Sequence, residues 1–185
     1  MSTLPIPSPR YGYDRLQRGF HWLMAALIFA AIGLGVWSAW LVQGTPLRRG
    51  LLDIHKSLGM TVLALIGLRI LYRLVAGEPA FRVPPGRLAH LAAKAGHAGL
   101  YVLMLFMPLT GYLTSASGGN TLPWFGLFSW PNLLPRDKAN AMLGAGLHYG
   151  GAWTLGAVLA LHLLAVAWHV FVRRDEVLAR MIGTR

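Results

Sequence analysis

Four long apolar blocks separated by shorter polar segments dominate the pattern along this chain of 185 residues. We predict membrane spans at about residues 19–42, 55–75, 95–116 and 147–172. Each block is long enough to cross a bilayer as a helix, which takes roughly 20 apolar residues. The pattern therefore predicts an all-α membrane protein built as a bundle of four transmembrane helices.

Helix start signals precede three of the blocks. Asp14 is the N-cap residue for the first helix, Thr45 followed by proline marks the start of the second, and the last helix can begin at about Asp137. The proline-rich residues 1–12 predict a disordered cytoplasmic tail, and 13–182 predict a single helical domain.

Composition supports a membrane protein. Hydrophobic residues make up 55% of the chain and charged residues 12%, against about 25% charged in an average soluble domain. The net charge of +11 does not indicate nucleic-acid binding, because the basic residues flank the apolar blocks. Of the 17 lysines and arginines, 12 fall on the side of the predicted membrane that holds both termini and five fall on the opposite side. The positive-inside rule then places both termini in the cytoplasm.

Histidines inside the last block indicate a buried cofactor, because histidine within a membrane span is costly. His148 and His162 are 14 residues apart, about 1400° of helix, and therefore lie on one face about 21 Å apart along the axis. His169 follows on the same face. Haem iron takes axial histidine ligands, and two haems at two depths need two histidines at each depth.

The other helices supply the partners. His21 begins the first span at the inner side, and His55 begins the second span at the outer side. Depth therefore pairs His21 with His162 and His55 with His148, which predicts two b-type haems. The chain has no cysteine, which excludes covalent haem attachment and iron–sulfur ligation. A bare metal ion is the alternative, but it requires its ligands within a few ångströms of one another.

Five segments carry a family resemblance: DRLQRGFHW (14–22), DIHKSLGMTVLALIGLRILYRL (53–74), GHAGLYVLMLFMPLTGYL (96–113), LHYGGAWTLGAVLALH (147–162) and WHVFVRRDEVLARM (168–181). They resemble the bacterial cytochrome b561 family in order and spacing. The resemblance implies a four-helix, di-haem b protein of the inner membrane. It is nearest to the superoxide:ubiquinone oxidoreductases of that family.

The resemblance also implies site residues. Its four haem ligands fall on the residues that depth pairs independently: His21, His55, His148 and His162. Its quinone-site histidines fall on His97 and His169. The implied activity is oxidation of superoxide at the periplasmic face with reduction of ubiquinone in the membrane, and membrane lipid surrounds the bundle. Two interfacial histidines that face lipid headgroups are the alternative for His97 and His169.

Charged residues near the predicted haems suggest further roles. Arg69 lies 14 residues after His55, on the same face at the depth of the inner haem, where it can bind a haem propionate. Snorkelling to the inner surface is the alternative. The outer cations, with two aspartates, leave a balance of +3 that can steer superoxide inward or contact lipid headgroups. These cations are Arg48, Arg49, Lys56, Arg136 and Lys138.

Two other functions fit the same sequence. One is an electron conduit or membrane anchor that serves a separate dehydrogenase or hydrogenase partner protein. The other is a haem-free helical scaffold or transporter. Turnover by the isolated chain distinguishes the enzyme from the conduit, and a colourless purified protein indicates the third class.

Overall fold

The computed structural model describes residues 10–183 and contains the four predicted membrane helices. Each is long and apolar enough to cross a bilayer. They are α1 Arg15–Trp40, α2 Pro46–Ala76, α3 Arg87–Ser117 and α4 Lys138–Trp168. The four-helix membrane bundle is therefore confirmed. Of the predicted tail, residues 1–9 lie outside the described residues. The carbonyl of Arg10 accepts a hydrogen bond from the Ala80 N–H at 2.8 Å.

The predicted helix starts are confirmed. Asp14 accepts a hydrogen bond from the Gln17 N–H at 2.8 Å, and the Gln17 side chain completes a capping box. Thr45 caps α2, with Pro46 as its first residue. Asp137 caps α4 through the Asn140 N–H. These caps satisfy amide groups that have no partner within their own helix.

Helix packing is uneven around the bundle. α1 packs along α2, α3 packs along α4, and α2 joins the two pairs through α3. Within residues 10–183, neither α1 nor α2 packs appreciably against α4. Glycines bring α3 and α4 close together, since a Cβ built on Gly151 would lie 2.8 Å from Met107 Sδ. The bundle therefore has a gap along α4 on the side that faces α1 and α2.

The buried core is small and lies between α1, α2 and α3. Its centre consists of Met24, Val62, Ile66 and Met104. Many other large apolar side chains are exposed on the outside of the helices. Because lipid is as apolar as these side chains, a membrane bundle does not need to bury them.

The connection between α3 and α4 contains a hairpin that the sequence pattern did not predict. Strands β1 Leu122–Trp124 and β2 Phe128–Trp130 pair antiparallel. The Phe125 N–H donates to Ser57 Oγ at 3.0 Å, and Trp124 Nε1 donates to Thr61 Oγ1 at 3.0 Å. These bonds hold the hairpin on the N-terminal half of α2.

The chain after α4 is also folded. A π-helical turn, His169–Arg173, extends α4 and is followed by a short helix, α5 Val177–Ile182. The buried Arg180 of α5 donates to the carbonyl oxygens of Tyr11 at 3.0 Å and Pro79 at 2.6 Å. One side chain thus joins both ends of the described chain to the loop between α2 and α3.

Candidate functional site

The outer histidine pair lies across the gap beside α4. The ring centroids of His55 and His148 are 5.9 Å apart, and the rings are nearly perpendicular at 84°. A metal–imidazole bond is about 2 Å long, so two imidazoles on opposite sides of one metal atom have centroids only about 6 Å apart. The pair predicted from depth therefore has the spacing of two axial ligands.

Backbone carbonyl groups orient both outer imidazoles. His55 Nδ1 lies 2.8 Å from the Ala31 carbonyl oxygen, and His148 Nδ1 lies 3.0 Å from that of Met107. Thr110 Oγ1 also lies 3.2 Å from His148 Nδ1. A carbonyl only accepts hydrogen bonds, so each Nδ1 carries the ring proton. Each Nε2 then keeps a free lone pair, which is the form that binds a metal.

The inner pair has similar spacing. The ring centroids of His21 and His162 are 6.4 Å apart, with the rings inclined at 55°. His21 is on α1 and His162 is on α4, so this pair also faces the gap. Within residues 10–183, no group of three or more histidine, aspartate or glutamate side chains has the geometry of a metal-ion site. Both pairs fit a planar cofactor held between two imidazoles.

His97 is a third imidazole beside the inner pair. Its ring centroid is 5.7 Å from that of His162. His97 lies on α3, which packs closely on α4 there, since a Cβ on Gly99 would be 4.0 Å from Val158 Cγ1. A porphyrin does not fit between two helices in such contact. The gap therefore favours His21 over His97 as the partner of His162.

Arg69 lies at the inner pair, as predicted from its spacing. Its Nη2 is 3.2 Å from His21 Nδ1, and its guanidinium carbon is 5.6 Å from the centre of the Tyr101 ring. Guanidinium only donates hydrogen bonds, so His21 Nδ1 is the acceptor here. The proton of the neutral ring then sits on Nε2. Arg69 must release His21 before that Nε2 can bind iron.

The surroundings of Arg69 suggest an alternative partner for its guanidinium group. The hydroxyl of Tyr101 is buried and has no hydrogen-bond partner among the described residues. Arg69, Arg73 and Tyr101 also line a small cavity of about 20 Å³. Arg73 is already paired with Glu78. Arg69 is therefore the cation here that lacks an acidic partner, and an anionic group such as a haem propionate would pair with it.

His169 lies apart from the inner pair. In the part of the chain that the structure describes, its ring contacts Trp168, and its Nδ1 is 2.6 Å from Asp175 Oδ2. Burial alone raises the pKa of Asp175, but hydrogen bonds from His169 and the Val177 N–H, with the charges of His169 and Arg173, bring the pKa below its ordinary value. Sequence reasoning missed Asp175, whose only signal was an acidic residue in a basic segment.

Two of the five cations predicted at the outer side make contacts within the protein. Lys56 Nζ lies 3.3 Å from Asp53 Oδ1 and donates to the Thr121 carbonyl at 3.1 Å. Arg48 Nε donates to the Ser38 carbonyl at 3.1 Å. Arg48 keeps its full charge because a carbonyl is neutral, whereas Asp53 offsets the charge of Lys56.

Comparison with known proteins identifies the family. A model of prokaryotic cytochrome b561 matches residues 12–184. The chain is 30% identical to cytochrome b561 homolog 2 of Escherichia coli K12, over 94% of this chain and 92% of that protein. It is 30% identical to the probable superoxide oxidase CybB of Yersinia pestis, over 92% and 95%. It is 28% identical to cytochrome b562 of Cereibacter sphaeroides, over 94% and 97%.

The chain therefore belongs to the prokaryotic cytochrome b561 family. It is a bacterial membrane protein of the electron-transfer type, and membership of the family implies b-type haem. The resemblance predicted from the sequence is confirmed.

Proposed function

We propose that this member of the cytochrome b561 family binds two b-type haems and transfers electrons from superoxide to ubiquinone across the bacterial inner membrane. The observation that carries this proposal is the presence of two histidine pairs, each spaced for axial ligation, near opposite ends of one gap in the bundle. When bound, haem supplies one-electron redox chemistry. Two superoxide ions each lose one electron to become dioxygen, and one ubiquinone takes up two electrons and two protons to become ubiquinol.

The ligand assignment pairs His55 with His148 for the outer haem and His21 with His162 for the inner haem. The hydrogen bonds from His55 and His148 to backbone carbonyls support the outer half, because they leave Nε2 free. For the inner half, Arg69 would hold a propionate in place of its contact with His21, which would free that imidazole for iron.

Superoxide is the proposed electron donor at the periplasmic face. The balance of +3 on that side favours the approach of a small anion. Arg48, Arg49, Arg136 and Lys138 supply the attraction in this proposal, because Asp53 offsets the charge of Lys56. One relative of similar length, from Yersinia pestis, is named a probable superoxide oxidase.

Ubiquinone is the proposed acceptor near the inner haem. His97 lies beside His162 and can hydrogen-bond a quinone carbonyl. His169 can deliver a proton from the cytoplasmic side, because the contact with Asp175 orients its ring. This assignment requires both termini to face the cytoplasm, as the distribution of basic residues favours.

The first test is to mix the purified, oxidised protein with superoxide under anaerobic conditions while the visible spectrum is recorded. A second reaction contains a soluble ubiquinone. Rapid reduction of b-type haem that is reversed by quinone is the expected result. A protein without a b-type spectrum would contradict the haem assignment.

The same measurement separates the alternative function. If the protein carries two haems that superoxide leaves oxidised, superoxide is not the electron donor and this part of the proposal is wrong. The chain is then better explained as an electron conduit for a separate dehydrogenase or hydrogenase. Co-purification of such a partner from the native membrane would support that explanation.

A further inference from the structure

Two glycines lie directly against the outer imidazoles. A Cβ built on Gly35 of α1 would be 3.1 Å from His55 Cε1 and 3.3 Å from its Nδ1. A Cβ built on Gly111 of α3 would be 3.3 Å from His148 Cε1 and 3.4 Å from its Nδ1. Both distances to Cε1 are shorter than an ordinary van der Waals contact, so any larger residue would push the ring away.

The two contacts share one geometry. The carbonyl that orients His55 belongs to Ala31, four residues before Gly35, and the carbonyl that orients His148 belongs to Met107, four residues before Gly111. A helical side chain leans back over the preceding turn and covers the surface there. Glycine at the fourth position therefore leaves the carbonyl open to an imidazole from a neighbouring helix.

We propose that Gly35 and Gly111 are positioning residues, because their lack of a side chain lets the two outer imidazoles hydrogen-bond to backbone carbonyls. Each carbonyl holds the Nδ1 proton in a hydrogen bond, and this contact would direct Nε2 toward the shared iron. This inference rests on the proposed outer haem and assigns a role to two residues outside its ligand set. Within residues 10–183, no glycine makes the corresponding contact with His21 or His162. The proposed positioning by glycine therefore applies only to the outer haem.

Alanine at either position displaces the ring and weakens the hydrogen bond from Nδ1 to the carbonyl. Loss of a hydrogen-bond partner behind a metal-bound histidine typically lowers metal affinity by about 10- to 100-fold. The hydrogen bond also makes the imidazole a stronger electron donor, which favours the oxidised iron. We therefore expect Gly35→Ala and Gly111→Ala to retain less outer haem, and the outer haem that remains to have a raised midpoint potential.

The chain supplies matched controls on the same helices. A Cβ on Gly33 of α1 or Gly96 of α3 would meet no atom within 4 Å. Gly33→Ala and Gly96→Ala make the same chemical change in the same helices without touching an imidazole. They should keep both haems and both potentials.

The experiment measures the haem-to-protein ratio, a redox titration that resolves the two haems, and the low-temperature EPR spectrum of the oxidised protein. Altered outer-haem signals in Gly35→Ala and Gly111→Ala, with the inner haem unchanged, are expected. The retained inner haem reports that the bundle is folded. Variants that match their controls, or that lose both haems equally, would contradict the positioning role of Gly35 and Gly111. A wild-type protein that binds no haem would instead overturn the proposed function.

Discussion

His169 Nδ1 lies 2.6 Å from Asp175 Oδ2, and this pair closes the π-helical turn at the end of α4. Arg174 follows the turn with a left-handed φ of 52°, and the Asp175 N–H donates to the His169 carbonyl at 3.3 Å. The backbone reversal brings the carboxylate back to the histidine six residues before it. An α-helix continued past Arg173 would carry the two residues apart.

Removal of this carboxylate should slow quinone reduction without loss of haem. Asp175→Asn leaves His169 without its acceptor anion, and a hydrogen bond to a charged group contributes roughly 1.5 kcal/mol. We expect reoxidation of the haems by a soluble ubiquinone to be about tenfold slower, since tenfold corresponds to about 1.4 kcal/mol. His169→Ala should be slower still. Equal rates in the wild type and both variants would remove the proton-delivery role.

The same pair should make the stability of the C-terminal segment depend on acid pH. The folded pKa of Asp175 is below its ordinary value of 3.8. The carboxylate therefore stabilises the folded segment above that value, and the contribution is lost as pH falls through the folded pKa. Proteolysis of the segment in wild type and Asp175→Asn should differ at pH 5 and converge toward pH 3. A constant difference across this range would contradict the assignment.

Single ligand substitutions should separate the two haems. His162→Ala removes one axial ligand of the inner pair and should lose the inner haem while it keeps the outer one. His148→Ala should do the reverse. Pyridine haemochrome assays and redox titrations give the occupancy of each site. His90→Ala, outside both pairs, is the control. If either variant loses both haems equally while it remains folded, the pairing is wrong.

Substitution of Arg69 should change the potential of the inner haem only. A cation beside the haem favours the reduced state, so Arg69→Met should lower the inner midpoint potential by on the order of 60 mV, which is tenfold in equilibrium for one electron. Arg69→Lys should restore part of it. Arg73→Met is the comparison, because Arg73 is paired with Glu78. An unchanged inner potential in Arg69→Met would favour snorkelling to the inner surface.

Reversal of charge at the outer face should slow the reaction with superoxide. The double variant Arg49→Glu and Lys138→Glu removes the attraction, and its initial rate of haem reduction should fall several-fold at low ionic strength. The difference should shrink in high salt, because the Debye length falls to about 3 Å at 1 M. Lys94→Glu, predicted at the inner side, is the control. A rate independent of both charge and salt would contradict steering.

Much of the fold follows from local sequence. The caps at Asp14 and Thr45 are local hydrogen bonds, so they were predicted to the residue, and the start of α4 was predicted at about Asp137. The hairpin over α2 was not predicted, because its strands have only three residues each and are held by contacts with Ser57 and Thr61, more than 60 positions away. Short strands have little periodic signal of their own.

The sequence by itself determined the number of membrane helices, and it predicted their direction and the depth of each histidine, since helical rise and rotation are constant along a chain. From depth alone it predicted which imidazoles would face each other. Only the tertiary structure decided that His97 lies beside His162, that Asp175 reaches His169, and that Gly35 and Gly111 lie against the rings of His55 and His148. These relations depend on how closely and at what rotation separate helices pack, and no spacing along a single helix contains that information.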